Sequence, residues 1–492
     1  MKVTVNRKDT KFYPDPSRII ARFLYTADER AINTIRSVLA MSESSVSQAL
    51  SPVLRDYSLR HRNISRIFEK HYNKVEHLLK QLNVEPDSLT LSQKTLIGSY
   101  FTMEYSIESA AFFNPSIVEH PDQSEISAGD KRVILSFRAT GEGHISSIVF
   151  RTGVLDKYNN LSVEPVGHML EEAQHIRKHI YDKASFKNKL DEMKDINALI
   201  PSGFIIDKLN DKFTYGELRD HIKGAKKTLH LASDKEVLFN QIIWLASSHY
   251  ELEFSLDTNI SERVIFPVSI NEKNGIEDAR FVKFTDDDGE SIYYATYTAY
   301  DGTAILPKML DTRDFYHFRV LPLHGEIAQN KGMALFPRKV NGKYVMLCRL
   351  DGFNNYISYS DNINIWREAK LLQQPKFPWE FIQIGNGGSP IETPEGWLVI
   401  THGVGPMREY ALGASLFDLQ NPEREIGRLK SPLLLPNAKE REGYVPNVVY
   451  SCGSMINNDE LVIPYAMSDY ASTYATVNLR ELLNELKNMQ QA

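Results

Sequence analysis

The residues best suited to acid–base and sugar chemistry fall in short polar tips between apolar runs. Asp278 stands in GIEDAR, where Glu277, Asp278 and Arg280 crowd opposite charges just ahead of an apolar stretch. Such crowding holds a carboxylate in place and tunes its proton affinity. An ion pair at the start of a strand, with no chemistry, is the competing reading. His402 ends the apolar run of ITHGVG, before glycines that let the backbone turn sharply; a satisfied core histidine is the plainer alternative. Asp469 follows an apolar run in YAMSDY, a place where Asp also serves as a turn former. Further polar residues at comparable ends are Arg138, Glu142, Asp301, Asn330, Lys331 and Arg349. Carboxylates, cations and an imidazole brought together among tyrosine and tryptophan suit a carbohydrate site. Glu171, His175 and His179 are spaced i, i+4 and i+8, which on one helical face is a metal-ligand spacing. The neighbouring Arg177, Lys178 and Lys183 fit a solvated basic face instead, and no metal is expected.

Other chemistries lose support. No phosphate-cradling GxxxxGK[ST] loop, no GxGxxG after a strand and no GxSxG elbow occurs. With 57 basic and 63 acidic residues the net charge is −6, which gives no general affinity for nucleic acid or anionic membranes. Cys348 and Cys452 are the only cysteines, too few for a disulfide scaffold or a four-cysteine zinc site. No run of eighteen apolar residues predicts a membrane span, and MKVTVNRKDT lacks a signal-peptide core. A cytoplasmic protein is expected.

The elements that must position these tips come in two textures. From about Ala27 to Phe113, Ala31, Ile35, Val38 and Leu39, then Val46, Leu50, Val53 and Leu54, recur at helical spacing. Two or three amphipathic helices follow, serving as packing struts or as the contact of a homo-oligomer. After Phe113, short β-branched and aromatic runs alternate with Gly, Asn, Asp and Pro, the pattern of antiparallel strands and turns. Strand–turn–strand units begin at Asn114, Arg280, Ala334, Pro390 and Pro446, the last four spaced 54, 56 and 56 residues apart. A steady period of that length predicts a mainly-β, five-bladed β-propeller, whose closure protects sheet edges; a β-sandwich is the alternative. In a propeller the ends of the inner strands converge on a central channel. The expected division is a helical extension over 1–112, a propeller over 113–482 with a helical insertion about 168–248, and a tail over 483–492.

At these motifs the sequence resembles glycoside hydrolase family 130, the β-mannoside phosphorylases and β-1,2-mannosidases. The likeness runs through FNPS (113–116), SFRATG (136–141), GIEDAR (275–280), YTAYDG (297–302) and NKGMALFPRKVNGKY (330–344). It continues in IGNGGSPIETPEGWLVITHGVG (384–405), GYVPNVVYSCG (443–453) and IPYAMSD (463–469). It implies a five-bladed propeller acting on an oligosaccharide, with Asp278 as the catalytic acid. That acid protonates the glycosidic oxygen through a mannose hydroxyl, with inversion. Arg138, Arg280, Asp301, Asn330, Lys331, Arg349, His402 and Asp469 are then the sugar- and anion-binding residues. Attack by inorganic phosphate, as co-substrate, gives mannose 1-phosphate; attack by water gives mannose.

In phosphorylases that the sequence resembles, an Arg-Asn pair, a further Arg, a Lys and a His surround the phosphate. These positions fall here on Gln329 and Asn330, Arg349, Gln383 and His402. Charge-assisted bonds are worth roughly 1.5–3 kcal/mol each, so two neutral glutamines favour water as the acceptor. The expectation is therefore an inverting β-mannoside hydrolase, with a phosphorylase as the alternative and a catalytically silent glycan- or protein-binding propeller behind both. An inverting hydrolase needs a general base roughly 6.5–9.5 Å from the acid, for which Glu142, Glu380 and Asp469 qualify by location. The helices before Phe113 are longer than the resemblance accounts for; they would cover one mouth of the channel or mediate self-association.

Overall fold

The computed structural model describes residues 3–176, 180–192, 206–228, 239, 242–243, 245–246, 249–267, 269, 272–300 and 305–488. Periodic apolar residues build the helices near the start of the chain. Asp28–Leu39 buries Ala31, Ile35 and Val38 on one face. Glu43–Ser58 is capped by Ser42, whose hydroxyl accepts from the Ser45 N–H, and Leu91–Tyr100 opens with a Thr90/Gln93 capping box. Ile64–Val75 crosses Leu91–Tyr100 closely enough that a Cβ on Gly98 would lie 1.9 Å from the Phe68 carbonyl oxygen. These helices share a core of their own, including Val46, Tyr72, Leu79, Leu96 and Phe101.

The rest is mainly β. Each sequence unit founds one sheet, and none of the sheets closes on itself into a barrel. The first is built on Ala111–Glu119, Lys131–Thr140 and Ser146–Leu155, the second on Ile276–Thr285, Ser291–Tyr300, Ile305–Thr312 and His317–Pro322. The third runs Ala334–Leu335, Tyr344–Cys348, Asn355–Ser360, Ala369–Gln373, and the fourth Gln383–Asn386, Gly396–Val404, Tyr410–Phe417, Glu425–Arg428. The fifth contains Val449–Tyr450, Glu460–Met467 and Ala471–Asn478. Contacts link each sheet to the next, and Glu460–Met467 of the fifth returns to Ala111–Glu119 of the first. Apolar cores sit at every one of these junctions, from Phe150 against Phe281 and Phe318 to Phe137 against Val462 and Tyr474. Each such aromatic contributes roughly 1.5–3 kcal/mol by leaving water.

The structure departs from the sequence reading in three places. Val5–Phe12, inside the expected helical extension, is a strand paired antiparallel with Ala471–Asn478, and it forms the outer edge of the fifth sheet. The insertion is not helical throughout. Glu171–Glu172 pairs with Arg263–Ile265 in the first sheet, and Gln174–Ile176 with Tyr250–Glu253 in the second; helices occupy Lys183–Glu192 and Tyr215–Thr228. Open sheet edges demand backbone partners, and that demand overrides a helix-like spacing of side chains. Finally, the expected tail begins within a helix, Leu479–Asn488, whose Leu482, Leu483 and Leu486 are buried in the core shared by the fourth and fifth sheets.

Candidate active site

The site is assembled where the innermost strands of the first two sheets break register together. Pairing shifts between Phe113 and Ser116 on one strand and between Glu277 and Arg280 on the other. At each bulge a non-glycine residue adopts a left-handed backbone, Asn114 with φ 49° and Asp278 with φ 54°. Such conformations cost of order 1–3 kcal/mol and persist at functional sites because the surroundings over-determine them. Here the two bulges meet: Asn114 Nδ2 donates to Asp278 Oδ1 at 2.6 Å.

Around this carboxylate lie cations. Arg138 Nη1 reaches Asp278 Oδ1 at 3.5 Å, while its Nη2 donates to Glu277 at 2.8 Å and its Nε to Ser146 Oγ at 2.9 Å. Lys331 Nζ holds the other Glu277 oxygen at 2.5 Å. Arg280 is tied to Asn386 Oδ1 at 2.5 Å and to the Tyr450 hydroxyl at 2.8 Å. Burial opposes ionisation of Asp278, but Arg138, then Lys331, the Asn114 hydrogen bond and Arg280 outweigh it and hold its pKa below the usual value. Asp469 behaves oppositely. Burial, and next the Asp278 charge, push it up to about 6 against the pull of Arg138 and Arg408. Two carboxylates with proton affinities driven apart can divide acid and base roles between them.

A second group adjoins it on the fourth sheet. His402 is buried at the end of Gly396–Val404, opposite Gly385, and its Nδ1 lies 3.0 Å from the Asn386 carbonyl oxygen. Burial first, then Arg349 and Arg280, push its pKa down to about 3. The Gln383 amide turns its nitrogen to the Gly352 carbonyl at 3.2 Å and its oxygen to Arg349 Nη1, and that same oxygen lies 3.0 Å from His402 Nε2. Among the described residues, Arg349 Nε is buried without a hydrogen-bond partner.

Of the residues singled out from sequence, Asp278, Arg280 and Asn330 line one pocket with Tyr297 and Thr298. Arg138, Lys331 and Asp469 join them through the contacts and fields above, and Arg349 and His402 form the adjoining group. Asp301 lies outside the described residues, as does His179. Glu171 and His175 stand on strands of different sheets rather than on a helix, and among the described residues no cluster of His, Cys, Asp or Glu is arranged to hold a metal. Glu142 is exposed at a hairpin tip. Glu380 is fully buried against Arg428 and the Lys376 and Phe377 N–H groups, which removes it from any exchange with a substrate. Asn114, Glu277, Asn386 and Tyr450 carry contacts that the sequence reading did not assign. Aligning the repeats would have found the first, since FNPSIV and EDARFV place Asn114 and Asp278 at equivalent positions.

Comparison with known proteins decides the lineage. A family model described as beta-1,4-mannooligosaccharide phosphorylase matches residues 237–488. A 1,2-beta-oligomannan phosphorylase of Thermoanaerobacter sp. (strain X514) is 35% identical over 228 residues, 44% of this chain and 74% of that protein. The chain belongs to glycoside hydrolase family 130. Another relative, a beta-1,2-mannobiose phosphorylase of Listeria innocua serovar 6a, is 29% identical over 50% of this chain and 68% of its own length. The solved structure of a Listeria innocua beta-1,2-mannobiose phosphorylase with beta-1,2-mannobiose covers 77% of this chain and 92% of its own, at 22% identity and a TM-score of 0.46. The family 130 model begins at residue 237, so the helices before Phe113 and the three strands on which the first sheet is built, Ala111–Glu119, Lys131–Thr140 and Ser146–Leu155, fall outside its match.

Proposed function

We propose that the protein is an inverting β-mannoside phosphorylase acting on β-1,2-linked mannosides, and that its five cyclically contacting sheets are the blades of a five-bladed propeller. The phosphorylase activities of the two relatives support phosphorolysis over the hydrolysis expected from the two glutamines. The observation that carries it is electrostatic. Asp278 is held ionised by surrounding cations, yet a general acid must hold a proton. A phosphate anion seated against Arg280, Arg349 and His402 offsets the pull of Arg280 on Asp278 and adds a negative charge beside it, which favours uptake of its proton. Water, being neutral, does nothing of the kind. The buried, unpartnered Arg349 Nε is a donor free to receive a phosphate oxygen.

In this reading a phosphate oxygen attacks the anomeric carbon while the bond from that carbon to the leaving sugar oxygen breaks. The proton of Asp278 passes to the leaving oxygen, giving mannose 1-phosphate and a free saccharide. Arg138, Asp301, Asn330, Lys331 and Asp469 hold sugar hydroxyls. Hydrolysis remains the second reading, because Gln329 and Gln383 are neutral and Asp469, raised to about 6, is suited to serve as a base. The test is incubation of purified protein with β-1,2-mannobiose, with and without inorganic phosphate. Mannose 1-phosphate and mannose should form in equal amounts and only with phosphate. Free mannose released equally fast without phosphate would overturn the reading.

A further inference from the structure

The amide of Gln383 is fixed by its neighbours. The Gly352 carbonyl can only accept and the Arg349 guanidinium can only donate, so the amide nitrogen faces the first and the oxygen the second. That oxygen also lies 3.0 Å from His402 Nε2, and the other ring nitrogen, Nδ1, is 3.0 Å from the Asn386 carbonyl oxygen. Both nitrogens of one imidazole thus face acceptors. A neutral imidazole has a single N–H and can satisfy only one of them, whereas the imidazolium satisfies both.

We propose that Gln383 couples anion binding to protonation of His402, so that the ring becomes a cation of the anion site only when the site is filled. This inference rests on the phosphorolytic reading. The groups facing the ring account for both halves of the switch. Arg349 after Tyr344–Cys348, and Arg280 on Ile276–Thr285, oppose a second positive charge. Asp278, on the same strand as Arg280, favours that charge from farther away. Tyr450 and Tyr410 pack their rings at 4.9 and 6.2 Å, and burial raises the pKa of the Tyr450 hydroxyl and keeps it neutral. Glu380, behind Gly403, is neutralised by Arg428. With the site empty, burial first and then the two arginines keep the ring neutral, and one of its two contacts is a lone pair against an oxygen. An anion against Arg349 and Arg280 cancels their repulsion, and the two waiting acceptors then favour uptake of a proton from solvent. The site gains a charge that neither glutamine can supply.

The proton uptake is read with sulfate, which has no proton of its own to lose near neutrality. Sulfate affinity measured calorimetrically from pH 5.5 to 8 should weaken with rising pH, approaching tenfold per unit. The dependence should flatten in Gln383→Leu, whose site is half-exposed and tolerant, and vanish in His402→Asn. A flat profile in the unaltered protein overturns the inference, as does a slope that survives both substitutions. Binding of inorganic phosphate at pH 7 serves as the companion measurement. If neither phosphate nor sulfate binds, phosphorolysis itself is wrong; if phosphate binds and sulfate shows no proton linkage, only the coupling through Gln383 fails.

Discussion

At the scale of single residues, chemistry concentrates where the backbone is least comfortable. Asn114, Asp278, Ser468 and Asp469 all have positive φ, and all lie at or beside the carboxylate pair. Asp278→Asn should lower kcat on β-1,2-mannobiose by about two to four orders of magnitude, the usual worth of a positioned general acid, while its thermal midpoint stays within a few degrees. Turnover that survives the change removes the assigned acid. Asp469 makes a different prediction. Its pKa is raised to about 6 in the fold, so the folded state binds its proton more tightly than the unfolded chain. Stability contributed by that proton is present below the ordinary carboxylate pKa and is lost as pH rises to about 6. Asp469→Asn stays neutral throughout, so its thermal midpoint relative to the unaltered protein should be more favourable at pH 8 than at pH 4.5. A difference of the opposite sign would show that neither burial nor the Asp278 charge raises the proton affinity of Asp469. Asp278 was legible in the sequence because unlike charges crowd before an apolar strand. Asn114 was missed because, unless the repeats are aligned, an Asn-Pro step looks like any turn, and its hydrogen-bond partner lies 164 residues away.

Among elements, the strands near the pocket wall are fastened by a buried polar cluster. Glu272 receives the Tyr297 hydroxyl at 2.8 Å, the Tyr250 hydroxyl at 2.9 Å and Lys308 Nζ at 2.8 Å. Burial alone would raise its pKa, but Lys308 in particular brings it down to about 2. Tyr297 lines the pocket with Asp278, and Tyr250 belongs to a strand joined to the insertion, so one carboxylate binds the insertion to the wall of the site. Lys308→Met strands that charge and should cost about 3–5 kcal/mol in urea unfolding; adding Glu272→Gln should recover part of the loss. A cost below 1 kcal/mol would mean that the cluster is not under electrostatic tension. The founding strands of each sheet were legible from alternation and turn residues, and so were the helices from Asp28 to Val75; Leu91–Tyr100 adds a fourth where two or three were expected. The outer strands from 171 to 176 were not, because their conformation is set by the edges they cover rather than by their own side chains.

For the molecule as a whole, the repeat spacing located the strand pairs on which the five larger sheets are built, and contacts between those sheets run in a cycle that the sequence alone could only suggest. What it did not reveal is that the fifth sheet borrows its outer strand from Val5–Phe12, since nothing local marks a partner so distant. Removing residues 3–12 should bare the edge of Ala471–Asn478 and withdraw Phe12 from its core with Phe137. The expected result is a lower unfolding midpoint with concentration-dependent light scattering, the signature of an unprotected edge. Unchanged stability would make this strand an ornament. Its pairing also carries a cost in time. Thr10 and its partner Thr473 are separated by 463 residues, and at ribosomal speeds of about 5–20 residues per second that is a wait of about 20–90 s. The earliest strand of the fifth sheet to emerge is therefore among the last to be satisfied, and through most of its own synthesis the nascent polypeptide carries an adhesive ribbon that chaperones or rapid dilution must keep from strangers.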